Sequence, residues 1–148
     1  YSRMGLKFSR RTIGFQREKL AEFMGHQPRV SRSHYYKEMK ESKAVVSPFG
    51  WGEINNRDFE AFIYGCLLVK PSMSHIETYP PLFVDDVTYV SYKWDLSNMI
   101  DVIREVEGNY NKYLEVSVEG QARYVESVIS RDGRERFATY FSDLIKSS

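Results

Sequence analysis

Cysteine, proline and uninterrupted hydrophobic sequence are all scarce in this chain, and each scarcity excludes something. One cysteine among 148 residues cannot close an intramolecular disulfide, which removes the disulfide-rich scaffolds. Its neighbours, Tyr64-Gly65 and Leu67-Leu68, are apolar, so Cys66 is expected as a buried thiol in a reducing, cytoplasmic setting. Nine glycines and five prolines are too few for a collagen-like or low-complexity chain. The longest apolar stretch, residues 61–69, is about half of the roughly 18–20 residues that a transmembrane helix requires. The start, Tyr1-Ser2-Arg3-Met4-Gly5, has no hydrophobic run of the signal-peptide kind. A first residue other than Met fits a piece of a longer protein.

What is present is an ordinary globular composition, 42% hydrophobic and 28% charged, at a length suited to one domain. The net charge of +1 conceals a division. Residues 1–43 hold 11 Lys/Arg against 4 Asp/Glu, and residues 44–148 hold 10 against 16. A basic first third beside an acidic remainder points toward an anionic partner or ligand.

Hydrophobic periodicity divides the chain further. Residues 11–24 place Ile13, Leu20, Phe23 and Met24 on one side of a basic helix stopped by Gly25-His26-Gln27-Pro28. Ser33 is suited to cap a helix over 34–41 with Tyr35, Tyr36 and Met39 available for packing. Strand 44–47, helix 53–64 and strand 66–69 then form a βαβ unit (residues 44–71), which requires a parallel sheet covered on both faces. A third strand is expected over 87–92. The segment 95–148 is helical, with Asp95 as a cap and three apolar stripes: Leu96/Met99/Ile100/Ile103/Val106, Leu114/Val118/Ala122/Val125/Ile129 and Phe137/Tyr140/Phe141/Leu144/Ile145. All three stripes are expected in the core. The fold class is α/β, a single domain with a parallel sheet, flanking helices and a helical C-terminal segment.

In such a sheet, ligands bind outside the carboxyl ends of the strands. The loop after the first strand, Pro48-Phe49-Gly50-Trp51-Gly52-Glu53, has two glycines that allow close backbone approach and leads into a helix N-terminus suited to phosphate. The loop after the second contains Lys70, Ser72, Ser74, His75, Glu77 and Thr78. On a helix over 53–64, Glu53 and Glu60 would share a face with Arg57 between them. That arrangement serves either as an ion-pair ladder or, for Glu60 amid Phe59, Ala61 and Phe62, as an acceptor for the paired hydroxyls of a ribose. His75 reads as a packed histidine or as a contact to a ligand in the second loop; with no second ligand at metal spacing it argues against zinc. Trp51 reads equally as a wall of the site or as packing.

The residues Ser47-Pro48-Phe49-Gly50-Trp51-Gly52-Glu53-Ile54 and Arg57-Asp58-Phe59-Glu60-Ala61-Phe62-Ile63-Tyr64-Gly65-Cys66-Leu67-Leu68-Val69-Lys70-Pro71 resemble the C-terminal donor-binding half of GT-B glycosyltransferases, group 1 and its relatives. The resemblance covers residues 33 to about 96. It implies a Rossmann-like domain, one half of a GT-B fold, that binds a nucleotide-activated sugar, with no cofactor or metal and with retention at the anomeric carbon. Glu60 would hold the ribose, Glu53 and His75 would lie at the reacting sugar, and Gly50, Trp51, Gly52, Arg57, Lys70, Ser72, Ser74 and Thr78 would line the donor. Six residues separate Glu53 from Glu60 where the family has seven, so strict register sets Gly52 at the first position. The diphosphate cations would come from Arg10, Arg11, Arg57 or Lys70. Asp85-Asp86 does not match the Asp-x-Asp arrangement of the metal-dependent fold. The resemblance also implies an N-terminal acceptor-binding domain as partner, and an acceptor that could be membrane-associated.

A second class remains open at this point: a nucleotide- or sugar-binding module without catalysis. The basic first third would also fit a nucleic-acid footprint, but no helix-turn-helix, ribonucleoprotein or zinc pattern accompanies it. No nucleic-acid partner is expected.

Overall fold

A computed structural model describes residues 30–50 and 52–147, and of residues 8–9 only the strand pairing. The helix expected over 11–24, together with Arg10, Arg11 and Trp51, lies outside the described residues.

Three strands, β2 (Ala44–Val46), β3 (Leu67–Pro71) and β4 (Val90–Tyr92), form a parallel sheet, and β1 (Phe8–Ser9) adds to the edge at β2. Strand order follows chain order. The helices are α1 (Arg32–Glu41), α2 (Asn56–Ile63), α3 (Met99–Gly108), α4 (Leu114–Tyr124) and α5 (Arg131–Lys146). A 3₁₀ turn, Tyr110–Tyr113, leads into α4, and a π-helical turn, Val125–Ile129, follows it.

Side chains alternate across a strand, so a strand buried on both faces needs apolar residues at consecutive positions. Ala44, Val46, Leu67, Val69, Val90 and Tyr92 face one layer, where Met99, Ile103 and Val106 of α3 cover them. Val45, Leu68 and Tyr89 face the other, against Met39 of α1, Ala61 and Phe62 of α2, and Tyr124 of α4. The sheet is thus covered on both sides.

Several boundaries differ from expectation for local reasons. Ser31, not Ser33, caps α1 by accepting from the His34 amide. The second helix starts at Asn56 instead of residue 53, because Asn55 accepts from the Arg57 amide while Asp58 reaches back to the Asn55 amide, a capping box. It ends in a Schellman motif: Gly65, at φ 66°, donates to Phe62 and Cys66 donates to Ala61. The third strand begins at Val90, since Thr88 instead turns its hydroxyl to Leu82 and Val84 carbonyls. Asn98 stands at the start of α3, and Asp95 accepts from Ser97 within the preceding turn.

Two of the three C-terminal stripes are not core. In α4 the buried side chains are Ser117, Gly120 and Tyr124, whereas Leu114, Val118, Val125 and Ile129 are exposed. The reason is close approach. A Cβ at Gly120 would lie 2.7 Å from the Thr88 carbonyl and 3.0 Å from the Phe62 ring, so the small face of α4 must turn inward. In α5 only Gly133 is buried, and Phe137, Tyr140, Phe141, Leu144 and Ile145 are all exposed. Tyr79 stacks on Tyr140 with centroids 3.9 Å apart, the principal ring contact between that stripe and the rest of the described chain.

Cys66 is 1% exposed and its thiol donates to the Met39 and Ser42 carbonyls. Burial pushes its pKa up to about 12. The unfolded thiol ionises near 8.5–9, so alkaline pH favours the unfolded chain: the contribution is complete below that range and is lost as pH rises toward 12. Native protein at pH 8 is expected to leave Cys66 unreacted with Ellman's reagent over hours, and protein in guanidinium to titrate one thiol. Rapid native labelling would contradict this burial.

Candidate functional site

The segments after β2, β3 and β4 meet at the carboxyl edge of the sheet. Beneath them lies a buried ion pair. Lys70, the fourth residue of β3, lies on the same face of the sheet as Leu68, and the Lys70 Nζ donates to Asp58 Oδ2 at 2.7 Å and to the Glu53 carbonyl at 2.8 Å. Both charged side chains are fully buried. The Ser47 hydroxyl donates to Asp58 Oδ1 at 2.6 Å, and the Phe83 and Phe49 rings stand 4.5 and 5.5 Å from the ammonium. Burial lowers the Lys70 pKa, and Asp58 acts against that shift. The pair joins the start of α2 to the end of β3. Lys70 therefore sits under the loop, with its ammonium committed to protein oxygens, rather than on a surface open to a diphosphate.

Above this pair, the Glu53 carboxylate lies 4.0 Å from His75 Nε2, both side chains a little over two-fifths exposed. His75 packs its ring against Phe49 and Trp94, with centroids 6.3 and 5.8 Å away, and Phe49 meets Trp94 at 5.3 Å. Ser72 and Ser74 share a hydroxyl contact of 3.1 Å in the same loop, and Thr78 is half-buried farther along it. Gly50 donates its amide to the Gly52 carbonyl at 3.2 Å. Gly52 is open, since a Cβ there would meet nothing within 4 Å.

Glu60 occupies a different place. Glu53 precedes α2, so the two glutamates do not share a helix face, and the expected ladder through Arg57 is not formed. Glu60 faces α1, where it accepts the Tyr35 hydroxyl. Burial, then this hydrogen bond, raises the Tyr35 pKa to about 12. Glu60 also borders a groove of about 320 Å³ lined by Tyr36, Asn56, Phe59, Ile63 and Tyr64. One turn earlier, the Arg57 Nε is out of water and has no hydrogen-bond partner. The first turn of α2 is itself capped, with the Asn55 and Arg57 amides already taken by side chains, so the phosphate donors expected from that terminus are reduced.

The structure thus brings Glu53, His75, Ser72 and Ser74 to the strand ends and places Glu60 and Arg57 between helices. Trp94 is the functional candidate that sequence reasoning missed. The rule that pointed to the loops after the first two strands applies equally to the residues after Tyr92, and Trp94 is the second of them. Among the described residues, no three His, Cys, Asp or Glu side chains gather as a metal set, and no helix is long and apolar enough to cross a membrane. Comparison with known proteins found no matching family model and no matching curated protein.

Proposed function

We propose that the chain is the donor-binding domain of a GT-B glycosyltransferase, moving a sugar from a nucleotide-activated donor to an acceptor without a metal ion and with retention. The observation that carries this reading is the Arg57–Glu60 turn of α2. The Arg57 guanidinium holds one nitrogen, Nε, out of water without a partner, and the group also acts on the Tyr35 hydroxyl that Glu60 accepts. One turn away stands a carboxylate bordering a groove. In this reading the ribose hydroxyls of a nucleoside diphosphate donate to Glu60 at the groove, and the Arg57 guanidinium beside Tyr35 and Glu60 supplies positive charge for the phosphates. Leaving-group charge developing on the diphosphate would be stabilised by that guanidinium. Glu53 and His75, at the strand ends, would orient the reacting sugar. The acceptor-binding domain belongs to the same reading, and the exposed apolar stripe of α5 is the surface that supports a neighbouring domain.

A thermal-shift screen against UDP-, GDP-, ADP- and CMP-sugars tests it. One donor at a hundredfold excess over its Kd is expected to stabilise by ~2.7 kcal/mol, or about 5–10 °C at this size. Glu60→Gln removes charge-assisted hydrogen bonds and is expected to weaken binding about 10- to 100-fold. No shift with any nucleotide overturns the reading. A shift unchanged in Glu60→Gln overturns the ribose assignment.

A further inference from the structure

We infer that Trp94 is the platform on which the donor's sugar ring stacks, which makes it a specificity-determining residue of this site. The inference rests on the donor-binding reading above and names the part of the ligand that the strand-end cluster takes. Trp94 is 56% exposed, an unusual setting for the largest aromatic side chain. It is nonetheless braced. Phe49, from the segment after β2, meets it at 67°, and His75, from the loop after β3, meets it at 84°. Phe49 is itself 8% exposed and stands beside the buried Lys70 ammonium, so the brace is anchored in the core. Segments following three successive strands converge on one indole, and half of that indole remains open to a ligand.

The surrounding chemistry selects the class of ligand. A pyranose has an apolar face of C–H bonds and a rim of hydroxyls. The negative face of an indole attracts polarised C–H groups, while the Glu53 carboxylate accepts hydroxyl protons and the His75 ring can exchange hydrogen bonds with the same rim. Sites of this kind combine an aromatic wall with a few placed polar groups. The ribose end of the donor is assigned to Glu60, on the side of α2 that meets Tyr35 of α1, so the strand-end cluster is left for the sugar.

The experiment titrates the nucleotide-sugar found in the screen, and its parent nucleoside diphosphate, into wild type, Trp94→Ala and Trp94→Phe by calorimetry. Trp94→Ala is expected to weaken the nucleotide-sugar about three- to tenfold and to leave the diphosphate's Kd within about twofold, with Trp94→Phe between. Because the indole is largely exposed, unchanged circular dichroism and Tm serve as the folding control. Equal weakening of both ligands would assign Trp94 to the nucleobase and overturn the inference, as would no weakening of either. Failure of both ligands to bind wild type would overturn the donor-binding reading itself, a result separable from the other two.

Discussion

Replacing Lys70 with methionine is expected to cost about 3–5 kcal/mol of unfolding free energy, because it leaves the Asp58 carboxylate buried without its cation. The ion pair has no exposed surface, so water cannot take over the lost contact. At this chain length the loss corresponds to a fall in Tm of about 10 °C or more. Asp58→Ala is expected to be comparably damaging, since it strands the ammonium against the Phe49 and Phe83 rings and also frees the Ser47 hydroxyl and the Asn55 amide. The double variant Lys70→Met/Asp58→Leu should recover much of the loss, because a volume-matched apolar pair avoids burying a lone charge. Urea unfolding followed by far-ultraviolet circular dichroism measures all three. A loss under about 1 kcal/mol for Lys70→Met would show that Asp58 takes up a proton or reaches water at little cost. A functional consequence accompanies the structural one: Lys70 holds the Glu53 carbonyl, so its loss should loosen the loop that carries Glu53.

Phe62→Ala is expected to cost about 3–5 kcal/mol, the range for deleting a buried phenyl ring. Phe62 is 1% exposed and lies between Phe83 and Tyr124, each about 6 Å away by centroid. It also floors the approach of α4, where Gly120 comes against its ring and against the Thr88 carbonyl. Gly120→Ala should therefore destabilise by about 1–3 kcal/mol through overpacking. The two changes touch one another, so their effects are expected to be non-additive. The cavity left by Phe62→Ala admits part of the new methyl but does nothing for the Thr88 carbonyl at 2.7 Å. Denaturant midpoints of the two single variants and the double variant close this cycle. Full additivity would mean that α4 shifts away from α2 independently of the ring.

Much of the fold was legible in one dimension. Ala44-Val45-Val46 and Leu67-Leu68-Val69 are apolar at every position, a pattern that suits a strand with both faces covered, and the parallel pairing of β2 with β3 bears that out. The stop at Gly65 was equally plain, because a residue at positive φ after a helix favours glycine. The start of that helix was not: a helix was expected from residue 53, whereas the capping box of Asn55 and Asp58 begins it at Asn56 and leaves Glu53 before it.

Periodicity established which residues of each C-terminal helix share a stripe, but not which way the stripe turns. The direction of α4 was decided by Ser117 and Gly120, whose small side chains let the helix close on Thr88 and Phe62 and so sent Val118, Val125 and Ile129 outward. The same holds for charge. A lysine beside a loop of hydroxyls reads as a phosphate ligand until the layers close over both faces of its strand and Asp58, twelve residues earlier, is brought within 2.7 Å. Local pattern and propensity settled what each segment is; distances between segments distant in the chain settled which charges pair, which apolar faces are covered, and that Trp94, Phe49 and His75 stand together. Those distances depend on how layers pack, and packing is a property of the whole chain rather than of any stretch of it.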